Sequence, residues 1–170
     1  MDAAALEIFF TAQWSAAISR YRGSLDLDDL ETIKIYQSWD NIQSNILNDV
    51  PQSISLIQPA LEHLGVFTEF FRTKLAENLD TTFFWGGLGC LLQLIVNSED
   101  LEVLEKVPGM IKQLILQAEA FNDFCDPKVD AENPIKEACF DMEVLYLDFH
   151  ISCIRYLHGD GGDYGRSNPI

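Results

Sequence analysis

Positive charge is scarce in this chain. Its 170 residues include 11 Lys and Arg against 27 Asp and Glu, a formal net charge of −16. A surface of that sign repels nucleic-acid phosphates and anionic lipid headgroups, which argues against binding either through a basic face. The few bases are scattered. The tightest group, Arg20 and Arg22, is followed closely by Asp26, Asp28 and Asp29. Cysteine is sparse as well. Cys90, Cys125, Cys139 and Cys153 lie far apart, form no C-x-x-C pair and stand among apolar residues. They read as buried free thiols of an intracellular protein, in preference to zinc ligands or a disulfide framework. The N-terminus "MDAAALEIFF" has no basic residue ahead of its apolar run, unlike a secretory signal or an Arg-rich transit peptide. The expected location is therefore cytoplasmic. Strand-type alternation and internal repeats are also missing.

Helical periodicity runs through nearly all of the rest. Leu6, Phe10, Trp14, Ala17, Ile18 and Tyr21 recur at steps of three and four, and Gly23 ends this first helix. An acidic connection, "SLDLDDLETIKIYQS", carries Leu27, Leu30 and Ile33 three apart and suggests a short helix. Ser38 has the chemistry of an N-cap. From Trp39 a stripe of Ile42, Ile46, Val50, Ile54, Ile57, Leu61 and Leu64 keeps its phase to about Lys74, with a kink or break expected at Pro51.

The most apolar stretch is "TTFFWGGLGCLLQLIV", with Asp80 or Thr81 as its cap. From Phe83 to Val96 it would span roughly 21 Å as a helix, whereas a membrane crossing needs about 20 residues. A helix apolar all round belongs in a core. Each glycine costs about 1 kcal/mol against alanine in a helix interior. That cost implies either close packing along a Gly86–Cys90 strip or a helix start just after Gly86 or Gly87. A further helix follows, capped by Ser98, with the stripe Leu101, Leu104, Val107, Ile111, Leu114, Ala118, Phe121 and Cys125 and a kink expected at Pro108–Gly109. The last begins near Asn133 with Pro134 at its first position. Its expected stripe is Ile135, Ala138, Met142, Leu145, Phe149, Ser152 and Tyr156, close to a heptad repeat. The fold class is all-α: a multi-helix bundle, mainly up-and-down, over residues 1–158, with a central buried helix near 83–97. Residues 159–170, "GDGGDYGRSNPI", read as a flexible tail or as a linker to a missing downstream module. Expected core positions are Phe10, Trp14, Ile18, Ile42, Ile46, Ile57, Leu61, Leu88, Leu91, Leu92, Ile95, Leu104, Ile111, Leu114, Phe121, Met142, Leu145 and Phe149.

Motifs for chemistry are incomplete. "WGGLGCLL" supplies Gly87-x-Gly89, but no strand precedes it and the next lysine is Lys106, so neither a P-loop nor a dinucleotide fingerprint is completed. His63, His150 and His158 form no H-E-x-x-H or Glu-x-x-His pair. His150 and Cys153, three apart on one helix, are the one conceivable dyad, and Cys153 sits at an expected core position. His158 stands at a helix C-terminus, where an imidazolium suits the dipole. "DLDDLE" lacks the glycine and the distal Glu of a calcium loop. No catalytic, cofactor-binding or metal-ligating residues are assigned on these grounds.

Taken in order, "AAISRY", "SWDNI", "LGVFTEFF", "FFWGGLGCLLQL", "LEVLEKVPGMIKQL" and "ACFDMEVLYLDFHISCIRYL" resemble the N-terminal helical domains of fungal STAND proteins. These are NLR-like receptors in which such a domain precedes a NACHT or related nucleotide-binding module and ankyrin, WD or TPR repeats. The chain is similar to the Goodbye group and, more distantly, to HeLo-like cell-death bundles. The resemblance covers roughly residues 6–158. It implies a signalling module acting through protein partners, self-association included, with no cofactor and no catalytic residues. The matched positions Phe84, Trp85, Gly86, Gly87 and Leu91 would then be structural. Two other readings stand beside it. One is a membrane-targeting cell-death executioner of HeLo type, whose N-terminal helix inserts. The other is an enzyme built from distant carboxylates.

Overall fold

The computed structural model describes residues 3–46, 79–122 and 133–159. Among them the chain forms six helices and no strand: α1 (Ala3–Arg22), α2 (Leu27–Ile35), α3 (Trp39–Asn45), α4 (Thr82–Val96), α5 (Leu101–Asn122) and α6 (Asn133–Leu157). The expected all-α bundle is therefore observed. The stripe from Val50 to Leu64, Pro51 and Pro59, Cys125, the loop around 125–132 and the tail from 160 lie outside the described residues. So do the expected core positions Ile57 and Leu61, and the side chains of Leu104, Leu114 and Phe121.

Helix α4 is the centre. It touches α2, α3, α5 and α6, while α1 packs on α6. Every residue from Phe83 to Leu92 is buried, as is Ile95, so the uniformly apolar sequence has the surroundings it requires. At the start of α4 the Asp80 carboxylate accepts from the Thr82 backbone N–H (3.0 Å) and hydroxyl (2.6 Å), whereas Thr81, in the capping position, makes no such bond.

The glycines of α4 lie inside the helix and mark a close approach, not a helix start. A Cβ added at Gly86 would lie 2.5 Å from both the Ile33 carbonyl oxygen and its Cγ2, and one at Gly89 would lie 2.4 Å from the Tyr36 ring. The bare strip is thus Gly86–Gly89, facing the C-terminal half of α2. Gly87 looks the other way, towards Leu147, His150 and Ile151 of α6, at ordinary contact distance. Gln93, the one polar residue of the run, accepts a hydrogen bond from the Tyr36 hydroxyl at 3.0 Å.

An aromatic seam joins α1 to the rest. Phe10 stacks on Phe140 of α6 at 4.6 Å, and Trp14 meets the same ring edge-on. The Trp14 indole N–H donates to the Asp80 carbonyl at 2.8 Å, so this large side chain is buried with its polar atom satisfied. At the far end of α1, Arg20 donates to the Tyr21 hydroxyl, which donates to Asp148 of α6 at 2.5 Å.

Several expectations need correction. Helix α3 stops at Asn45, well before Pro51. Ser38 caps it by accepting from Asn41 N–H, but Ser44 and Asn45 turn their side chains onto the carbonyls of Asp40 and Asn41. Such local bonds compete with helix propagation. Helix α5 continues through Pro108 as one element, which is compatible with the kink expected at Pro108–Gly109. Its first turn is capped in relay: Ser98 accepts from Asp100 N–H and Asp100 from Glu102 N–H. In α2 the buried residues are Asp29 and Ile33, while Leu27 is 79% exposed.

The largest correction concerns α6. The face turned inward carries Cys139, Phe140, Glu143, Tyr146, Leu147, His150, Ile151 and Ile154, whereas Leu145 and Tyr156 are 63% and 69% exposed. Met142 and Phe149 are half-buried, as is Ile18 on α1. Two apolar stripes run along this helix. The one chosen against Gly87 and Phe84 includes a carboxylate and an imidazole, which binary patterning places in water. The other expected positions Phe10, Trp14, Ile42, Ile46, Leu88, Leu91, Leu92, Ile95 and Ile111 are in the core.

Leu91→Asp is expected to unfold the domain, because a carboxylate in this apolar setting costs several kcal/mol unless it is paired. A cooperative melt of a soluble Leu91→Asp protein by circular dichroism would contradict the central position of α4. Gly86→Ala and Gly89→Ala should each destabilise despite alanine's helix propensity, since α2 must shift to admit a methyl group, at about 1–3 kcal/mol. Gly109→Ala, with nothing near its added methyl, should stabilise by up to about 1 kcal/mol. Urea midpoints of the three variants test that order.

Candidate functional site

Three features of the fold carry polar chemistry or open surface. The first joins three helices. Asp26 caps α2, its Oδ1 accepting from Asp29 N–H at 2.8 Å. One turn in, Asp29 is only 5% exposed. Its Oδ1 lies 2.8 Å from His158 Nε2, just past the end of α6, and accepts from the Cys90 thiol of α4 at 3.7 Å. One ligand-capable atom each from Asp26, Asp29 and His158 falls within 4.8 Å of the others. Burial pushes the Cys90 thiol up to about 12, assisted by the Asp29 and Asp26 charges and by its bond to Asp29. Cys90 is thus a neutral donor at neutral pH and no nucleophile.

The second feature is the polar pair inside α6. Glu143 is fully buried, and His150 is 2% exposed, two turns later on the same face. The His150 ring meets Phe84 edge-on at 5.3 Å, and its Nδ1 has no hydrogen-bond partner among the described residues. Desolvation pushes this imidazole down to about 3, so it stays neutral in the core. Cys153, the partner considered for it, is half-buried, and burial pushes its thiol up to about 11. A nucleophile–base pair needs the opposite: a thiol that ionises easily and an imidazole that accepts its proton. These shifts do not favour a His150–Cys153 dyad. His63 lies outside the described residues, and the glycines of "WGGLGCLL" are inside a buried helix, not in a phosphate-binding loop.

The third feature is a groove of about 720 Å³ between α5 and α6. Val107, Phe149 and Cys153 lie in it, Met110 and Tyr156 stand over it, and Asp100, Glu102 and Lys106 rim it. Met110 is 52% and Tyr156 69% exposed. Lys106 is paired with Glu102 one turn away, which leaves Asp100 to set the sign of that edge. No described helix is long and apolar enough to cross a membrane.

Sequence reasoning placed His158 correctly at a helix end but missed its partner. The available signal was Asp29 itself, which shares the inner face of α2 with Ile33 and Tyr36 at the steps of four and three that mark one helical face. The groove arises from the second apolar stripe of α6, which was legible but assigned to the core. No family model, characterised protein or solved structure matches the chain.

The His150 environment has a consequence for acid stability. Its folded pKa lies below the unfolded value of about 6.5, so the stability present above that value is lost as pH falls towards about 3. Between pH 7 and pH 5 this one proton amounts to about 2 kcal/mol. Replacing the group with His150→Leu should reduce the acid-induced loss of urea stability by that amount. Identical pH slopes in the two proteins would contradict a neutral buried imidazole.

Proposed function

We propose that the chain is a non-enzymatic, cytoplasmic interaction module of the kind that precedes the nucleotide-driven engine in STAND receptors, and that it binds a protein partner in the α5–α6 groove. The carrying observation is the apolar groove itself, with Met110 and Tyr156 held out to solvent above it. Large apolar side chains gathered at one concave place are an interaction surface by default, whereas single ones are commonplace. The acidic edge and the net charge of −16 favour an amphipathic helix with apolar residues on one face and Lys or Arg flanking them. They oppose a second copy of the same acidic chain. The catalytic alternative lacks support, because the titratable groups described above are a bound thiol, a neutral imidazole, a helix-capping Asp26 and an Asp29 held by His158 and Cys90. The membrane alternative requires α1 to leave the bundle. That would expose Leu6, Phe10 and Trp14, at about 1.5–3 kcal/mol per large side chain.

A synthetic Leu/Lys amphipathic helical peptide, and its isomer of scrambled order, test the reading by fluorescence anisotropy at physiological salt. The ordered peptide should bind more tightly than the scrambled one. Met110→Asp with Tyr156→Asp should remove that preference while leaving the melt of the domain unchanged. Equal binding of the two peptides to the unaltered protein would sink the groove as a docking site. Dimerisation in sedimentation velocity that the same double variant abolishes would make a second copy the occupant.

A further inference from the structure

The end of α6 and the start of α2 meet through a mixed set of donors: Asp26, which also caps α2, Asp29 and His158. Asp29 is a carboxylate 5% exposed, and a buried charge needs a compensating partner. A second carboxylate, Asp26, presents an oxygen within 4.8 Å of it. Two carboxylates gathered at one place give a setting that favours a shared cation. Among the described residues, the basic group ion-paired with Asp29 is the imidazole of His158, with no lysine or arginine in that role. The donors are brought together from positions far apart in the sequence, by the folding of α6 against α4 and of α4 against α2.

We propose that Asp26, Asp29 and His158 bind a divalent transition-metal ion of the zinc class, which clamps the end of α6 to the first turn of α2. The donor set is two carboxylate oxygens and one imidazole nitrogen, which suits zinc and its neighbours better than calcium, an ion that takes six to eight oxygens. Zinc ligands at about 2.0 Å in a tetrahedron stand about 3.3 Å apart. His158 Nε2 and Asp29 Oδ1, now 2.8 Å apart, need to separate by about half an ångström to admit the ion. His158 is exposed at the end of its helix and can make that movement. Asp26 and His158 face solvent, which gives the ion an entry path and leaves a fourth position for water. The Cys90 thiol donates to the same Asp29 oxygen. It thereby orients the carboxylate, as the outer partners of metal-bound carboxylates do.

The test is Zn2+ binding to the tag-free protein, measured by competition with a chromogenic chelator and by the thermal midpoint. One tight equivalent of Zn2+ is expected, with a rise in midpoint that an excess of Ca2+ does not reproduce. His158→Gln and Asp29→Asn should weaken that equivalent by roughly tenfold or more. Asp28→Asn, which removes the same charge from an exposed neighbour outside the set, should leave it unchanged. Circular dichroism identifies any variant that fails to fold, and the exposed His158 makes its variant the safer reading. Co2+ should give visible d–d bands without a thiolate charge-transfer band. Binding that is weak and non-stoichiometric, equal in His158→Gln, or accompanied by a thiolate band would overturn the assignment.

Discussion

The bundle depends on how closely α2 approaches α4. Two missing side chains, at Gly86 and Gly89, let the Ile33 carbonyl and the Tyr36 ring sit where a Cβ would be. Close-packed interiors do not accommodate even one extra methyl group without a shift of backbone. The helix therefore accepts about 1 kcal/mol of lost propensity at each glycine in exchange for contact along its length. Once α2 is seated there, Tyr36 reaches Gln93 and Asp29 reaches Cys90. The single polar residue of the apolar run and the thiol beside it both gain partners from that one contact.

On its opposite side α4 presents Gly87 and Phe84 to α6, and this choice of partner sets the rotation of the longest helix. With Leu147, His150 and Ile151 against Gly87, the stripe carrying Leu145 and Tyr156 is turned outward. The same rotation buries Glu143 and His150 and opens the α5–α6 groove. It also directs the last turn of α6 towards the first turn of α2, where His158 meets Asp29. The buried polar residues, the apolar groove and the carboxylate–imidazole cluster are three consequences of one packing decision.

Charge then divides the possible uses of these surfaces. An acidic exterior would discourage self-contact and nucleic acid alike, and would draw basic partners at long range. Within the groove the contacts are apolar, so long-range attraction would supply encounter and the buried side chains would supply hold. The cluster at the α2–α6 junction works by different physics. Its strength would come from the buried Asp29 carboxylate backed by the exposed Asp26 and His158 donors, and its role would be to hold the helix ends together.

The all-α class, the first helix with Phe10 and Trp14 inward, the Ser38 cap and the burial of α4 were all legible in the residues alone. Each follows from local periodicity, from capping chemistry, or from a segment too apolar to face water and too short to cross a bilayer. The face of α6 was not legible, because the helix carries two apolar stripes and only the partner surface of Gly87 and Phe84 selects between them. Nor was the meeting of Asp29, Cys90 and His158, or which helix makes the close approach at Gly86 and Gly89, although close packing along a Gly86–Cys90 strip was one of two expectations. Such pairings join residues distant along the chain, and periodicity reports which side of a helix is apolar, not what stands opposite it. Local sequence determined where the helices are and that α4 is inside. Only tertiary packing decided which side chains meet, since contact across helices depends on rotation and approach set by several elements at once.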